Sequence, residues 1–349
     1  MGEIFRARAL AGPMANQIVA VKRILRHFTM NEERIQMFID EARILSLLDH
    51  PNIVQVHEFI RVDCDYWLIL EFVPGHSLSE VLLRNKRIHR LFSCPLIAYI
   101  GEELAAALHY AHHKTDETGR SLQIVHRDVS PDNILVSYQG RVKISDFGIA
   151  KAKQRSCMTR DGVLKGKMGY ISPEQTWGHS ADRRSDIFSL GAVMFELLTG
   201  HRLFKREPDW MAMVDRVRSF EGLEFLDCPD WIPVPFWKVL VGALQPSPER
   251  RFQEAAQFQE ALAGLRRELS WEDSERELSL LMGELFPGED GELPDQELRW
   301  RSLDHWMAAR YEGTEDRPAL SEADTNLDSQ QPTLTSTTYL LKKLVPQDG

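Results

Sequence analysis

Two short apolar runs framed by demanding polar residues restrict this chain more than any other feature. His126-Arg127-Asp128-Val129-Ser130-Pro131-Asp132-Asn133 leads into Ile134-Leu135-Val136, and Val142-Lys143-Ile144 leads toward Asp146-Phe147-Gly148, 18 residues beyond Asp128. The apolar runs suit short strands, which leaves the polar residues on the loops at their ends. Transfer of a phosphoryl group to a hydroxyl needs a carboxylate that orients the nucleophile and takes its proton, and oxygen ligands for a magnesium ion bridging the phosphates. Asp128, Asn133 and Asp146 supply those groups at loop positions.

The rest of the chain divides by pattern. Residues 3–25 read as two strands, Glu3–Leu10 and Ile18–Ile24, around the turn Ala11-Gly12-Pro13. Asn31 opens a helical pattern in which Ile35, Phe38, Ile39, Ala42, Leu45 and Leu48 share a face, closed by His50-Pro51-Asn52. Strands follow over Ile53–Val62 and Tyr66–Phe72 before the Pro74-Gly75 break. From Ser77 to about Leu269 the pattern is helical, most clearly over Leu96–His113 and Ser185–Leu198. A sheet-rich part followed by a helical part predicts two unlike lobes joined near residues 71–76.

With the motifs in that frame, the chain resembles the eukaryotic-like (Hanks-type) serine/threonine protein kinases in their bacterial form. The resemblance rests on the two loop motifs and their separation, and it extends over residues 2 to about 265. It implies an α+β, bilobal protein kinase fold, with a small β-rich N-lobe lacking its first strand and a larger helical C-lobe. It implies ATP and Mg²⁺ as cofactors and protein substrates as partners, and allows a homodimer for autophosphorylation. By the same resemblance Asp128 is the catalytic carboxylate, and Asn133 and Asp146 hold the metal. Lys22, in Val19-Ala20-Val21-Lys22, matches the strand lysine that meets the phosphates, and Glu41 matches its helix partner. Leu70 stands as gatekeeper before the hinge Glu71-Phe72-Val73, where the backbone of Glu71 and Val73 would bond adenine, with Ala20 above the ring and Leu135 below it. Ile171-Ser172-Pro173-Glu174 occupies the place of the family's A-P-E motif, with Arg251 as the expected partner of Glu174, and Asp186 matches the aspartate that braces the catalytic loop. Arg127 matches the arginine that meets an activation-segment phosphate. Thr159 is the expected phosphosite, Ser156 the second choice, and Asp161 a built-in negative charge.

Three departures qualify the match. The family's G-x-G-x-x-G loop is met only from its last glycine, Gly2, which leaves two accounts: a start placed one strand too late, the favoured one, or a nucleotide lid without its glycines. The lysine expected two residues after the catalytic aspartate is Ser130. The Gly-Thr expected before the A-P-E motif is Gly166-Lys167. Since positions 130 and 167 should lie together, Ser130 and Lys167 are expected to share a catalytic role, the lysine stem carrying its charge to the γ-phosphate. The active enzyme therefore competes with a pseudokinase-type binding or scaffold module, favoured by the impaired lid. A small-molecule kinase such as an aminoglycoside phosphotransferase is disfavoured, because Ile149–Ile171 and the Ser172-Pro173-Glu174 region suit a protein substrate.

Composition sets the remaining limits. Of 349 residues 43% are hydrophobic, yet no run approaches the roughly 20 apolar residues of a membrane helix and no signal peptide opens the chain, so a cytoplasmic protein without a membrane span is expected. Cys64, Cys94, Cys157 and Cys228 form no metal-type or paired spacing and are read as isolated thiols. From Ser270 onward 18 acidic residues face 7 basic ones, a net −11, which leaves residues 1–269 at +1. A neutral globular part with an acidic tail argues against nucleic acid as a partner. The organisation expected is a kinase domain over 1–268 (N-lobe 1–73, C-lobe 77–268), a helical extension over 269–312, and a disordered acidic, Thr-rich tail over 313–349. Within the extension, Leu278, Leu281 and Leu285 line one helix face, read as docked on the C-lobe. His109, His112 and His113 are read as solvated or capping groups, and Trp231 and Trp237 as C-lobe packing.

Overall fold

The structure is a computed structural model that describes residues 2–9, 14, 16–24, 39, 42, 44–62, 65–147, 168–178, 181–205, 207, 209–224 and 227–288. Two lobes emerge. The N-terminal lobe is an antiparallel sheet of four strands, β1 (Gly2–Arg8), β2 (Ile18–Ile24), β3 (Val56–Val62) and β4 (Asp65–Glu71), in the order β1-β2-β4-β3. Successive side chains alternate between faces of a strand, so β2 turns Val19 and Val21 into one apolar cluster with Ala7, Trp67 and Ile69. Ala20 and Lys22 take the opposite face. Their direct partners across β4 are Leu70 and Leu68, and Leu68 packs with Val56 and Ala42 on that side. The strand expected over Ile53–Val62 starts later, at Val56, and Ile53 instead makes an isolated parallel bridge with Ile144.

A second sheet of three strands, β5 (Gly75–Ser77), β6 (Ile134–Ser137) and β7 (Val142–Ile144), carries the two apolar runs. Its edge strand follows directly from the hinge. Gly75 lies so close to β6 that a Cβ there would sit 2.0 Å from the Val136 carbonyl oxygen, which restricts this position to glycine.

The helical lobe is ordered by its caps. α1 (Leu78–Arg87) starts at Ser77, whose hydroxyl accepts from the Glu80 N–H while the Glu80 carboxylate answers the Ser77 N–H. α2 (Cys94–His112) starts at Ser93, and the short α3 (Pro173–Thr176) at Ser172. α4 (Arg183–Thr199) starts at Asp182 and ends at Gly200 in the left-handed region, φ 72°. Apolar all round its middle, α4 runs through the centre of the lobe, packed by α2 and by α6 (Val234–Ala243). α5 (Trp210–Arg218) lies against α3, and α7 (Ala255–Glu268) packs along α2.

α8 (Ser274–Leu285) docks on α1 and α2, burying Leu278, Leu281 and Leu285. Phe286 completes the seat, stacked on His76 at 3.6 Å between ring centroids with the Arg84 guanidinium on its ring. The predicted apolar stripe is thus an intramolecular contact. The two tryptophans part company: Trp237 is buried, whereas Trp231 is 50% exposed and contributes no core packing. Among the described residues no helix is long and apolar enough to cross a membrane.

Candidate active site

The loop from His126 to Asn133 is shaped by one buried carboxylate. Asp186, in the first turn of α4 and 0% exposed, accepts from the backbone N–H of His126 at 2.7 Å and of Arg127 at 2.8 Å. Those bonds hold Arg127 at φ 63°, a left-handed conformation that costs a non-glycine residue roughly 1–2 kcal/mol. His112 supplies a third contact, Nε2 to Asp186 Oδ2 at 2.9 Å. This corrects the reading of His112 as a solvated helix end: its side chain is 1% exposed. The sequence signal available was position alone, since the last turn of α2 brings His112 to the inward face while His109 and His113 face outward.

His126 reads out the loop's second constraint. It is fully buried, and burial pushes its imidazole below the ordinary histidine value against the opposing pull of Asp186 and Asp128. The neutral ring can then accept the Asp128 N–H at Nδ1, 3.2 Å, while Nε2 donates to the Ser145 carbonyl at 3.0 Å. Phe147 packs on the same ring with centroids 4.4 Å apart. One imidazole therefore ties the two motif loops together.

Above it, Asn133 donates its amide to the Asp128 carbonyl at 2.7 Å and to the Asp128 carboxylate at 3.1 Å. The Asn133 amide nitrogen is thereby committed to the loop, which makes its side-chain carbonyl the atom suited to a cation. Asp146 follows β7 at φ 56°, a second strained position. Its Oδ1 lies 2.5 Å from Lys22 Nζ, so the two lobes meet through a pair separated by 124 residues. Lys22 is 18% exposed and Asp146 41%. Lys22 shares its face of β2 with Ala20, and Asp146 follows the sheet whose middle strand carries Leu135.

The hinge carries a contact that sequence reasoning missed. The Glu71 carboxylate pairs with Lys143 Nζ on β7 at 2.9 Å and accepts from the Gln55 N–H. The Glu71 side chain is thus committed to β7 and Gln55, and its backbone N–H donates to the Gln55 carbonyl at 2.9 Å. Leu70 and Leu135 are half-buried, and Gly2 pairs with Ile24 at the end of the sheet. Ser130 is 1% exposed, with its hydroxyl buried and unpartnered among the described residues. Glu41, Lys167, Thr159, Ser156 and Asp161 lie outside the described residues.

Behind the site stands a buried ion pair. Arg251 clasps Glu174 through two nitrogens at 2.7 Å each, and its remaining donors reach the carbonyls of Gln245, Pro246 and Arg184. Ser185 adds its hydroxyl to Glu174 at 2.6 Å. Burial alone would push the Glu174 carboxyl up, but the hydrogen bonds and charge of Arg251 outweigh it and hold the group below the ordinary glutamate value. From the same turn, Gln175 donates to the Arg127 carbonyl at 3.5 Å, which links this platform to the catalytic loop.

Comparison with known proteins agrees with this geometry. The family described as protein kinase domain matches residues 2–262. The chain is 39% identical over 262 residues, 75% of its length, to Tyrosine-protein kinase MasK of Myxococcus xanthus, of which it covers 40%. It is 37% identical over 189 residues, 54% of its length, to Serine/threonine-protein kinase PrkC of Bacillus subtilis, of which it covers 27%. With Serine/threonine-protein kinase PknA of Mycobacterium tuberculosis the identity is 32% over 259 residues, 71% of this chain and 55% of the relative. The chain thus spans about half or less of the length of these relatives. Family membership carries with it the general use of ATP and a divalent metal. By its residues, its fold and this match, the chain belongs to the protein kinase domain family, among the eukaryotic-like kinases of bacteria.

Proposed function

We propose that the chain is an ATP-dependent serine/threonine protein kinase that transfers the γ-phosphoryl group to hydroxyls of protein substrates. The observation that supports this reading is that four of the expected site residues meet in two contacts, Asn133 with Asp128 and Lys22 with Asp146, on loops tied together by the His126 ring. Asp128 orients the substrate hydroxyl and takes its proton as the bond to phosphorus forms. Lys22, with Glu41 as the residue that fixes it, meets the α- and β-phosphates. Ala20 and Leu135 close on the two faces of adenine, the backbone of Glu71 and Val73 bonds its edge, and Gly2 lies at the phosphate end of the sheet.

The donor set fits Mg²⁺. The Asp146 carboxylate and the Asn133 amide carbonyl are hard oxygen ligands of the kind that ion prefers, and Asn133 already spends its nitrogen on Asp128. Asn133 and Asp146 would hold the ion, which neutralises phosphate charge when bound. Ser130 and Lys167 are assigned a shared role in stabilising charge on the transferred group. The buried, unpartnered Ser130 hydroxyl supports this, since a cation from position 167 would satisfy it. Arg127 is assigned to a phosphate on Thr159.

The name of the Myxococcus xanthus relative, a tyrosine-protein kinase, supports a second reading, a tyrosine acceptor. Incubation with γ-labelled ATP and a mixed protein substrate, followed by phosphoamino-acid analysis, separates the two. Label on Ser and Thr that disappears with Asp128→Asn is the expected result. Label on Tyr alone would transfer the assignment to the second reading, and no Asp128-dependent label would overturn both.

A further inference from the structure

At the C-terminal end of α2, three ligand-type side chains converge without a structural task that uses their inner atoms. His109 and His113 are one helical turn apart at the end of α2, where an i,i+4 pair shares a face, and their ring centroids are 4.3 Å apart. Glu254, the residue preceding α7, enters from the packed neighbour helix. Each of the three offers one ligand atom, and these atoms lie within 4.8 Å of one another.

The outer contacts aim those atoms inward. His113 uses Nδ1 on the His109 carbonyl at 3.1 Å, which places its proton on Nδ1 and its lone pair on Nε2. Nε2 points at Glu254 Oε2, 3.4 Å away. The other Glu254 oxygen is held by Arg183 at 2.7 Å, and Arg183 is oriented in turn by the Gln253 carbonyl at 2.9 Å. Two atoms are left over. His109 Nδ1 and Glu254 Oε2 are both buried and have no hydrogen-bond partner. Unsatisfied buried polar atoms are uncommon, and two within one cluster ask for a common partner. A water or a proton would satisfy one of them. A cation satisfies both and accepts the His113 lone pair as well.

We propose that His109, His113 and Glu254 form a binding site for one borderline transition-metal cation, Zn²⁺ by ligand type, with water in the remaining position. Two imidazoles and one carboxylate are a zinc ligand set, and hard cations such as Mg²⁺ are poorly served by it. Bond lengths near about 2.0–2.2 Å require the three atoms to close by roughly 1 Å, a side-chain movement open to the half-exposed His113. Occupancy would staple the last turn of α2 to the first turn of α7. His112, between the two histidine ligands in sequence, is the group that holds Asp186.

The full chain, in excess Mg²⁺ to occupy hard-oxygen sites, is titrated with Co²⁺ by visible absorption and with Zn²⁺ by calorimetry. One equivalent with a Co²⁺–histidine spectrum is expected. His113→Ala, His109→Ala and Glu254→Gln should each weaken it by more than the about 10–100-fold that loss of an outer-shell partner costs. Zn²⁺ should raise the Tm of the wild type by about 5 °C at 100-fold excess over Kd and leave that of His113→Ala unchanged. His113 is at the surface, so its variant folds and serves as the decisive one. Absence of a bound equivalent, or an equivalent that persists in His113→Ala, overturns the site.

Discussion

His112 Nε2 and Asp186 Oδ2 lie 2.9 Å apart in the centre of the helical lobe, and neither side chain is more than 1% exposed. The contact completes three donors on one carboxylate, two of them backbone N–H groups of the catalytic loop. Asp186→Asn keeps the shape but turns an N–H₂ toward at least one of those donors. A buried donor left unsatisfied costs about 1–3 kcal/mol, so a loss of that size in urea unfolding free energy is expected. Activity should fall further than stability explains, because Arg127 at φ 63° relaxes when its restraint goes. An Asp186→Asn protein with wild-type stability and rate would show that the loop holds its shape by other means.

What was legible in the sequence follows from where each constraint acts. Loop motifs, strand alternation and caps are local, so Asp128, Asn133, Asp146 and the strands around them are readable in order. The Glu174–Arg251 pair, 77 residues apart, was readable only through the family resemblance. His112 was not readable as a brace, because three histidines near a helix end look alike until α4 shows which one faces the core. The Glu71–Lys143 pair and the approach of Glu254 to His109 and His113 escaped for the same reason. Each joins residues whose local surroundings suit solvent equally well. Trp231 shows the converse, a large apolar residue left half-exposed on the loop before α6.

The Glu174–Arg251 pair should show itself in the pH dependence of stability. A carboxyl held below its ordinary value of 4.5 stabilises the fold above that pH, and the contribution is lost as pH falls through the lower folded value. Arg251→Met strands a buried carboxylate, at a cost of about 3–5 kcal/mol near neutrality. Below about pH 4.5 protonation of Glu174 relieves the variant and removes the wild-type advantage, so the two unfolding free energies converge. Urea midpoints at pH 7, 5.5, 4.5 and 3.5 test this. A deficit independent of pH would assign the loss to packing on Phe188, over whose ring the guanidinium lies at 4.8 Å.

Docking of α8 can be separated from backbone strain by a pair of glycines. Gly140 and Gly119 share φ 82°, but a Cβ at Gly140 would lie 2.0 Å from the Glu275 carbonyl oxygen, whereas at Gly119 nothing lies within 4 Å. Alanine at either position carries the same left-handed cost, roughly 1–2 kcal/mol. Gly140→Ala should be the more destabilising of the two, by about 1–3 kcal/mol, because it forces α8 off its seat. Limited proteolysis should then cut between α7 and α8 in Gly140→Ala alone. Equal losses in the two variants would mean that α8 shifts without consequence.

The exchange of a lysine for Ser130 makes the sharpest prediction about rate. Ser130 lies two residues after Asp128, is 1% exposed, and has a hydroxyl without a partner among the described residues. A hydroxyl in that state is a poor substitute for a cation on its own, since it adds no charge where negative charge gathers. Lys167, outside the described residues, is the residue proposed to bring that charge, with Ser130 accepting from its ammonium. If the ammonium acts mainly on the transition state, Lys167→Ala lowers kcat by roughly 10²-fold and changes KM little. Ser130→Lys/Lys167→Thr returns a cation from the other side and should recover much of the loss. Ser130→Ala, which removes only the supporting hydroxyl, should cost less than Lys167→Ala. If Lys167 faces the substrate instead, its alanine variant keeps kcat and shifts the preference for acidic residues around the acceptor. That pattern in a peptide-array rate comparison would assign the charge to recognition and leave the active site with no replacement for the missing lysine.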